Sequence, residues 1–167
     1  GLRTYGGNPV MLIDFAKVME KQGRWREAGN YRWAAFLADS SLGTEAARAV
    51  AVAVQAGQLD TAQARLEAAE RALPPSTELT ISASHLALAR GDPARAADLR
   101  VSVARAHPDD YRYWLLAGQA AVRAGDCAVL SESVARLAVL RPSLPPLGGL
   151  RDGLASLRCA VAHPTSR

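Results

Sequence analysis

Apolar positions recur along the chain at helical spacing, in short runs ended by glycine or proline. Between Pro9 and Gln22 the residues Leu12, Phe15, Ala16 and Met19 share one side of a helix, and Gly23 stops it. A second helix is expected from Trp25 to Asp39, with Ala28, Tyr31, Ala35 and Phe36 turned inward. The alternation then repeats. Thr44 to Ala56 ends at Gly57, and Leu59, Ala62, Leu66, Ala69 and Leu73 make the next stripe, closed by Pro74-Pro75. Thr77 to Arg90 is followed, after Gly91, by a helix to His107 that Pro108 stops. Asp110 to Ala124 and Asp126 to Leu140 form a further pair, ended by Pro142. Beyond a proline-rich connector at 143–146, one more amphipathic helix is expected over 147–162, with Leu150, Leu154, Leu157 and Val161 on one face. Residues 1–8 read as a glycine-rich lead-in and 163–167 as a frayed tail.

Gly23, Gly57, Gly91 and Gly125 each lie 34 residues after the one before. A fixed period of this length marks stacked helical repeats. Glycine suits the residue after a helix, which often takes the left-handed region. Ala28, Ala62 and Ala96 follow the bends at one offset, Ala35 and Ala69 at the next, and Pro74, Pro108 and Pro142 close three of the four units. The fourth unit opens with Trp114 and Leu116-Ala117-Gly118. In these features the chain resembles the tetratricopeptide repeat, a helix–turn–helix unit of about 34 residues. The resemblance covers about residues 9–142 and implies an all-α, right-handed α-solenoid. Its repeats are 9–42, 43–76, 77–110 and 111–142, and the helix at 147–162 is the expected C-terminal cap. Deleting residues 147–167 is expected to melt or aggregate the fourth repeat.

The same resemblance implies that the first helix of each pair lines a concave groove. In that register the partner-binding residues are Ile13, Lys17, Ala51, Val54, Gln55, Ile81, His85, Leu88, Leu115, Gln119, Val122 and Arg123, with Ala47 among them on the floor. Relatives that clamp a peptide carboxylate use lysine, asparagine and arginine. Here those positions hold Ile13, Lys17, Arg48, Glu78 and Ser82, and Glu78 would repel a carboxylate. An apolar groove suits an amphipathic helix or an extended hydrophobic segment of a protein or peptide partner. The bland alternative is that Ala47, Ala51 and Val54 only pack repeats together. The implied function is a protein–protein interaction scaffold or adaptor, one domain of a larger bacterial assembly, secretion or polysaccharide-export protein. The alternatives are self-association as a homodimer or a regulatory module. Trp33 lies off the inward stripe of its helix and is a candidate surface anchor, or else packs on Leu2 or Tyr5.

Charge and chemistry narrow this further. The formal net charge is +4, and its arginines are scattered, as at Arg24, Arg48, Arg71, Arg95, Arg112, Arg136 and Arg158. Nucleic-acid binders cluster such charge, so no nucleic-acid partner is expected; the arginines read as a solvated surface. No apolar run approaches the ~18–20 residues of a spanning helix, so no membrane segment is expected and the chain reads as a soluble domain. No signal segment is visible, and the first residue is Gly1, which reads as a processed product or an excised piece. His85, His107 and His163 stand apart from other ligand types, Ser84 and His85 point to different helix faces, and Gly6-Gly7 and Gly148-Gly149 lack a phosphate-loop context. No metal, cofactor or catalytic residue is expected, and an enzyme is the remote third reading. Cys127 and Cys159 fall nearly level if their helices run antiparallel about the connector. They form either a disulfide, pointing to an oxidising compartment such as the periplasm, or two buried thiols in a cytoplasmic protein.

Overall fold

The computed structural model describes residues 7–160. Among them are nine helices and no strand: α1 (Pro9–Lys21), α2 (Trp25–Ala38), α3 (Gly43–Gln55), α4 (Leu59–Ala72), α5 (Thr77–Ala89), α6 (Pro93–Ala106), α7 (Tyr111–Ala124), α8 (Cys127–Leu140) and α9 (Pro145–Ser156). Local chemistry sets their ends. Asn8 caps α1 by accepting from the Val10 amide at 2.9 Å, and Pro9 occupies the first turn, where its missing N–H costs nothing. Ser76, Asp92, Asp110 and Asp126 cap α5, α6, α7 and α8 in the same way. The bend glycine Gly57 sits at φ +72°, and its three counterparts lie between +69° and +78°. A Cβ on Gly57 would meet nothing within 4 Å, so its backbone angle, not crowding, demands glycine.

The helices divide into two compact units, one ending at Arg90 and the other beginning at Gly91. The division falls at the bend of the third repeat, so α5 belongs to the first unit and α6 to the second. In the first unit α2 packs between α1 and α3, and α3 packs on α4 and α5. Its core is alanine-rich: Ala46, Val50, Ala53, Ala62 and Ala69 lie with Phe36, Leu66, Leu79 and Leu86. Small side chains leave the helix axes close together. The second unit is built from larger residues. Trp114, Val101, Leu130, Leu137, Leu147 and Leu150 enclose Ala117 and Ala121. The Trp114 Nε1 donates to the Pro108 carbonyl at 2.9 Å, which ties the turn before α7 to the core.

The terminal helix differs from its sequence expectation. It spans Pro145–Ser156, not 147–162, because Pro145 and Pro146 occupy its first turn instead of preceding it. Its C-terminal end is set by Leu157, and Arg158 turns to φ +53°. Leu147 and Leu150 are its buried anchors, while Leu157, expected on the inward face, is exposed. Val161 lies outside the described residues, as do 1–6 and the expected tail.

A disulfide joins Cys127, at the first residue of α8, to Cys159, three residues beyond α9, with their Cα atoms 5.4 Å apart. The closed loop spans 32 residues of sequence separation. Cross-linking removes unfolded-state entropy, so reduction is expected to lower the stability of the second unit by about 2–4 kcal/mol. Thermal unfolding with and without reductant checks this; identical transitions would contradict it.

Candidate functional site

The expected groove residues are reported within each unit. In the first, α3 and α5 lie side by side, and the Ser82 hydroxyl donates to the Ala47 carbonyl at 2.8 Å across their junction. Both of these residues are buried, so Ala47 is packing and Ser82 is spent on the backbone. This corrects the placement of Ala47 on the groove floor and leaves Ser82 unavailable at the clamp position. One and two turns further along α3, Ala51 and Val54 are half-buried and Gln55 is exposed. On α5, Ile81, His85 and Leu88 repeat at the same helical spacing and are half-buried. Val54 packs against the core of the unit, whereas Ile81 and Leu88 are not among the residues that do. On α1, Ile13 is half-buried and Lys17 is exposed, its ammonium 3.2 Å from Asp14. In the second unit Gln119 and Arg123 of α7 are exposed. Leu115 and Val122 pack against the core, and Gly153 of α9 closes on Val122, where a Cβ would come within 2.9 Å. These two residues are therefore partly committed to structure.

Trp33 is not a free anchor. It is half-buried, its ring lies 5.1 Å from Phe36, and the Arg65 guanidinium stands 5.8 Å from its centroid. It packs on the core of the first unit. The alternative contacts, Leu2 and Tyr5, lie outside the described residues.

Sequence reasoning missed the arginines inside the fold. Arg32, Arg65 and Arg100 are all under 10% exposed. Arg32 of α2 bridges Glu20 of α1 and Glu45 of α3; its Nε donates to Glu20 at 2.5 Å. That hydrogen bond holds the Glu20 carboxyl below the usual glutamate range, against the opposing effect of burial. Arg65 of α4 donates to the Asn30 side chain at 2.8 Å, and burial pushes it below the usual arginine range. Arg100 of α6 donates to the Leu116 carbonyl at 3.2 Å and is lowered by burial and by the neighbouring Arg123 charge. A signal was present: Arg32 lies four residues after Ala28 and three before Ala35, within the small-residue stripe.

Among the described residues no group of three His, Cys, Asp or Glu side chains is placed to hold a metal, and no helix is long and apolar enough to cross a membrane. No family model matches the sequence, and no curated protein matches it. Solved structures do match. One is YrrB, a TPR protein with an unusual peptide-binding site, at 17% identity, a TM-score of 0.67, and coverage of 90% of this chain and 78% of that one. Another is a tetratricopeptide repeat protein from Parabacteroides merdae, at 11% identity and a TM-score of 0.73. The alignment covers 90% of this chain and 60% of the Parabacteroides chain. The chain has the tetratricopeptide-repeat fold, an all-α array of helix–turn–helix units.

Proposed function

We propose that this chain is a protein–protein interaction scaffold that holds an apolar segment of a partner on the α3–α5 face of its first unit. The observation that carries the reading is the state of Ile81 and Leu88. Both are large aliphatic side chains that remain partly open to solvent outside the packed core. Beside them on the packed neighbour α3 are Ala51 and Val54, with Gln55 and His85 supplying polar edges. An apolar floor with polar margins fits an amphipathic helix or an extended hydrophobic segment, which gains burial along the floor and hydrogen bonds at the rim. Ile13 and Lys17 offer further contact positions on α1. On the second unit, Leu115, Gln119, Val122 and Arg123 of α7 offer a separate contact strip. The peptide-binding site of YrrB supports a peptide ligand on this fold. The Cys127–Cys159 bond favours an oxidising compartment such as the periplasm, where the chain would act as a domain of a bacterial assembly, secretion or polysaccharide-export protein.

A displayed library of random peptides, selected on the full chain, tests the site. Selected peptides are expected to be apolar and to bind Ile81→Asp and Leu88→Asp about tenfold or more weakly, since each variant sets a carboxylate against an apolar ligand. Both variants should unfold near the wild-type temperature. Undiminished binding to both would overturn the assignment.

A further inference from the structure

The first helices of the repeats end in one kind of turn. At Gly57 the amides of Gly57 and Gln58 donate back to the Val54 and Ala53 carbonyls at 3.0 and 2.9 Å. Gly23 and Gly125 close α1 and α7 with the same pair of bonds. The turn needs a positive φ at its first residue, and each of the four bends meets that need with glycine.

The end of α9 makes the same turn with a different residue. The Arg158 amide donates to the Ala155 carbonyl at 3.1 Å and the Cys159 amide to the Leu154 carbonyl at 3.0 Å. Arg158 thus stands where the bends have glycine, at φ +53°, and among the described residues no other non-glycine has a positive φ. Its Cβ makes that angle costly. The next residue, Cys159, is bonded to Cys127 at the start of α8. The disulfide holds from outside a turn that glycine holds elsewhere through its own backbone freedom.

The helix closed by this turn is weakly built towards its end. The buried anchors Leu147 and Leu150 lie in its first half. A Cβ on Gly148 or Gly149 would meet nothing within 4 Å, so these glycines serve no close contact and lower the helix propensity. Further on, Leu154 is half-buried and Ala155, Ser156, Leu157 and Arg158 are exposed. Gly153 makes the close approach to α7 and α8: a Cβ there would lie 2.9 Å from Val122 and 3.5 Å from Leu130.

We propose that the Cys127–Cys159 bond is a redox latch, whose reduction releases α9 from Gly153 onwards while Leu147 and Leu150 keep its start seated. The reductant is a dithiol. One of its thiolates attacks Sγ of Cys159, which is half-buried between exposed neighbours, and Cys127 leaves as a thiolate. The second thiolate then displaces Cys159. The reductant departs as a disulfide, and the two protein sulfurs take up the two protons it gave up. Release uncovers Val122, so the apolar part of the α7 strip is larger in the reduced chain. The latch does not depend on the proposed face at Ile81 and Leu88.

Amide hydrogen exchange of the full chain, oxidised and after treatment with dithiothreitol, is the test. The amides of Leu157, Arg158 and Cys159 are expected to lose protection about tenfold or more on reduction, while those of α7 and α8 stay protected over the same interval. Arg158→Gly lets the turn hold by itself, so its reduced form should keep the protection of its oxidised form to within about threefold. Cys127→Ser/Cys159→Ser should exchange like the reduced wild type, with or without dithiothreitol. Unchanged protection of the last turn on reduction, equal loss of protection throughout α7 and α8, or a reduced Arg158→Gly chain that frays like the wild type would overturn the latch.

Discussion

Replacing Arg32 with alanine is expected to destabilise the first unit by about 3–5 kcal/mol, because it strands two carboxylates that share one cation. Arg32 is 1% exposed, and the side chains of its partners Glu20 and Glu45 are 18% and 13% exposed. The three join α1, α2 and α3, so the loss falls on the contacts that hold those helices together. Arg48 approaches Glu20 only to 3.9 Å and is largely solvated, so it cannot take over. Arg32→Met combined with Glu20→Gln and Glu45→Gln should recover much of the loss, since no charge is then left unpaired. Urea unfolding of the single and triple variants distinguishes these outcomes; a single variant as stable as wild type would contradict the role given to Arg32. The linkage to pH follows from Glu20. Its carboxyl is held low in the folded chain, so the unfolded chain binds more protons on acidification. The stabilisation is complete above the ordinary glutamate range near ~4.3 and fades as pH falls through the lowered folded value. Arg32→Ala should therefore show a flatter acid limb than wild type.

Removing α9 should have the larger effect. Leu147 and Leu150 are 1% and 5% exposed, and Leu150 reaches Gly118 of α7, where a Cβ would come within 2.9 Å. Truncating either leucine to alanine is expected to cost about 2–5 kcal/mol. The two together rival the ~5–15 kcal/mol that holds a whole domain folded. Ending the chain at Arg141 also uncovers Trp114, Leu130 and Leu137, core residues packed with these leucines. The expected result is loss of the second unit's cooperative unfolding and precipitation on heating. Truncation also deletes Cys159, so a Cys127→Ser/Cys159→Ser variant is the control that keeps α9. If the truncated chain unfolds like that control, α9 is dispensable.

The fold was readable because its determinants are local. A glycine forced to positive φ, a proline that ends a helix and an alanine stripe each leave a mark at one position, and the 34-residue spacing of the glycines ties the marks together. The cap was misjudged by two residues at its start because Pro145 and Pro146 serve equally well in a connector or in a first helical turn, and only packing of Leu147 decides between them. Arg32 was not singled out, because the arginines were read together as a solvated surface; its carboxylate partners lie 12 and 13 residues away, and no spacing rule links them. Ala47 was read as groove floor, and Ser82 as a clamp position, from register alone, which cannot tell a lining residue from one at the helix junction. Phe15 was read as sharing the inward side with Leu12 and Ala16, yet it is 46% exposed while those two are buried, because the neighbours around a helix, and not its spacing alone, decide exposure. The cysteine pairing lay between: helix rise brings Cys127 and Cys159 level, but facing directions come only from the folded chain.

Affinity capture from the native extract, comparing wild type with Leu88→Asp by quantitative mass spectrometry, tests the scaffold reading most directly. The account predicts a distinct set of proteins retained by the wild-type chain and depleted about tenfold or more by Leu88→Asp, with both chains equally folded. The same proteins captured equally by both chains would contradict the α3–α5 face as the binding surface.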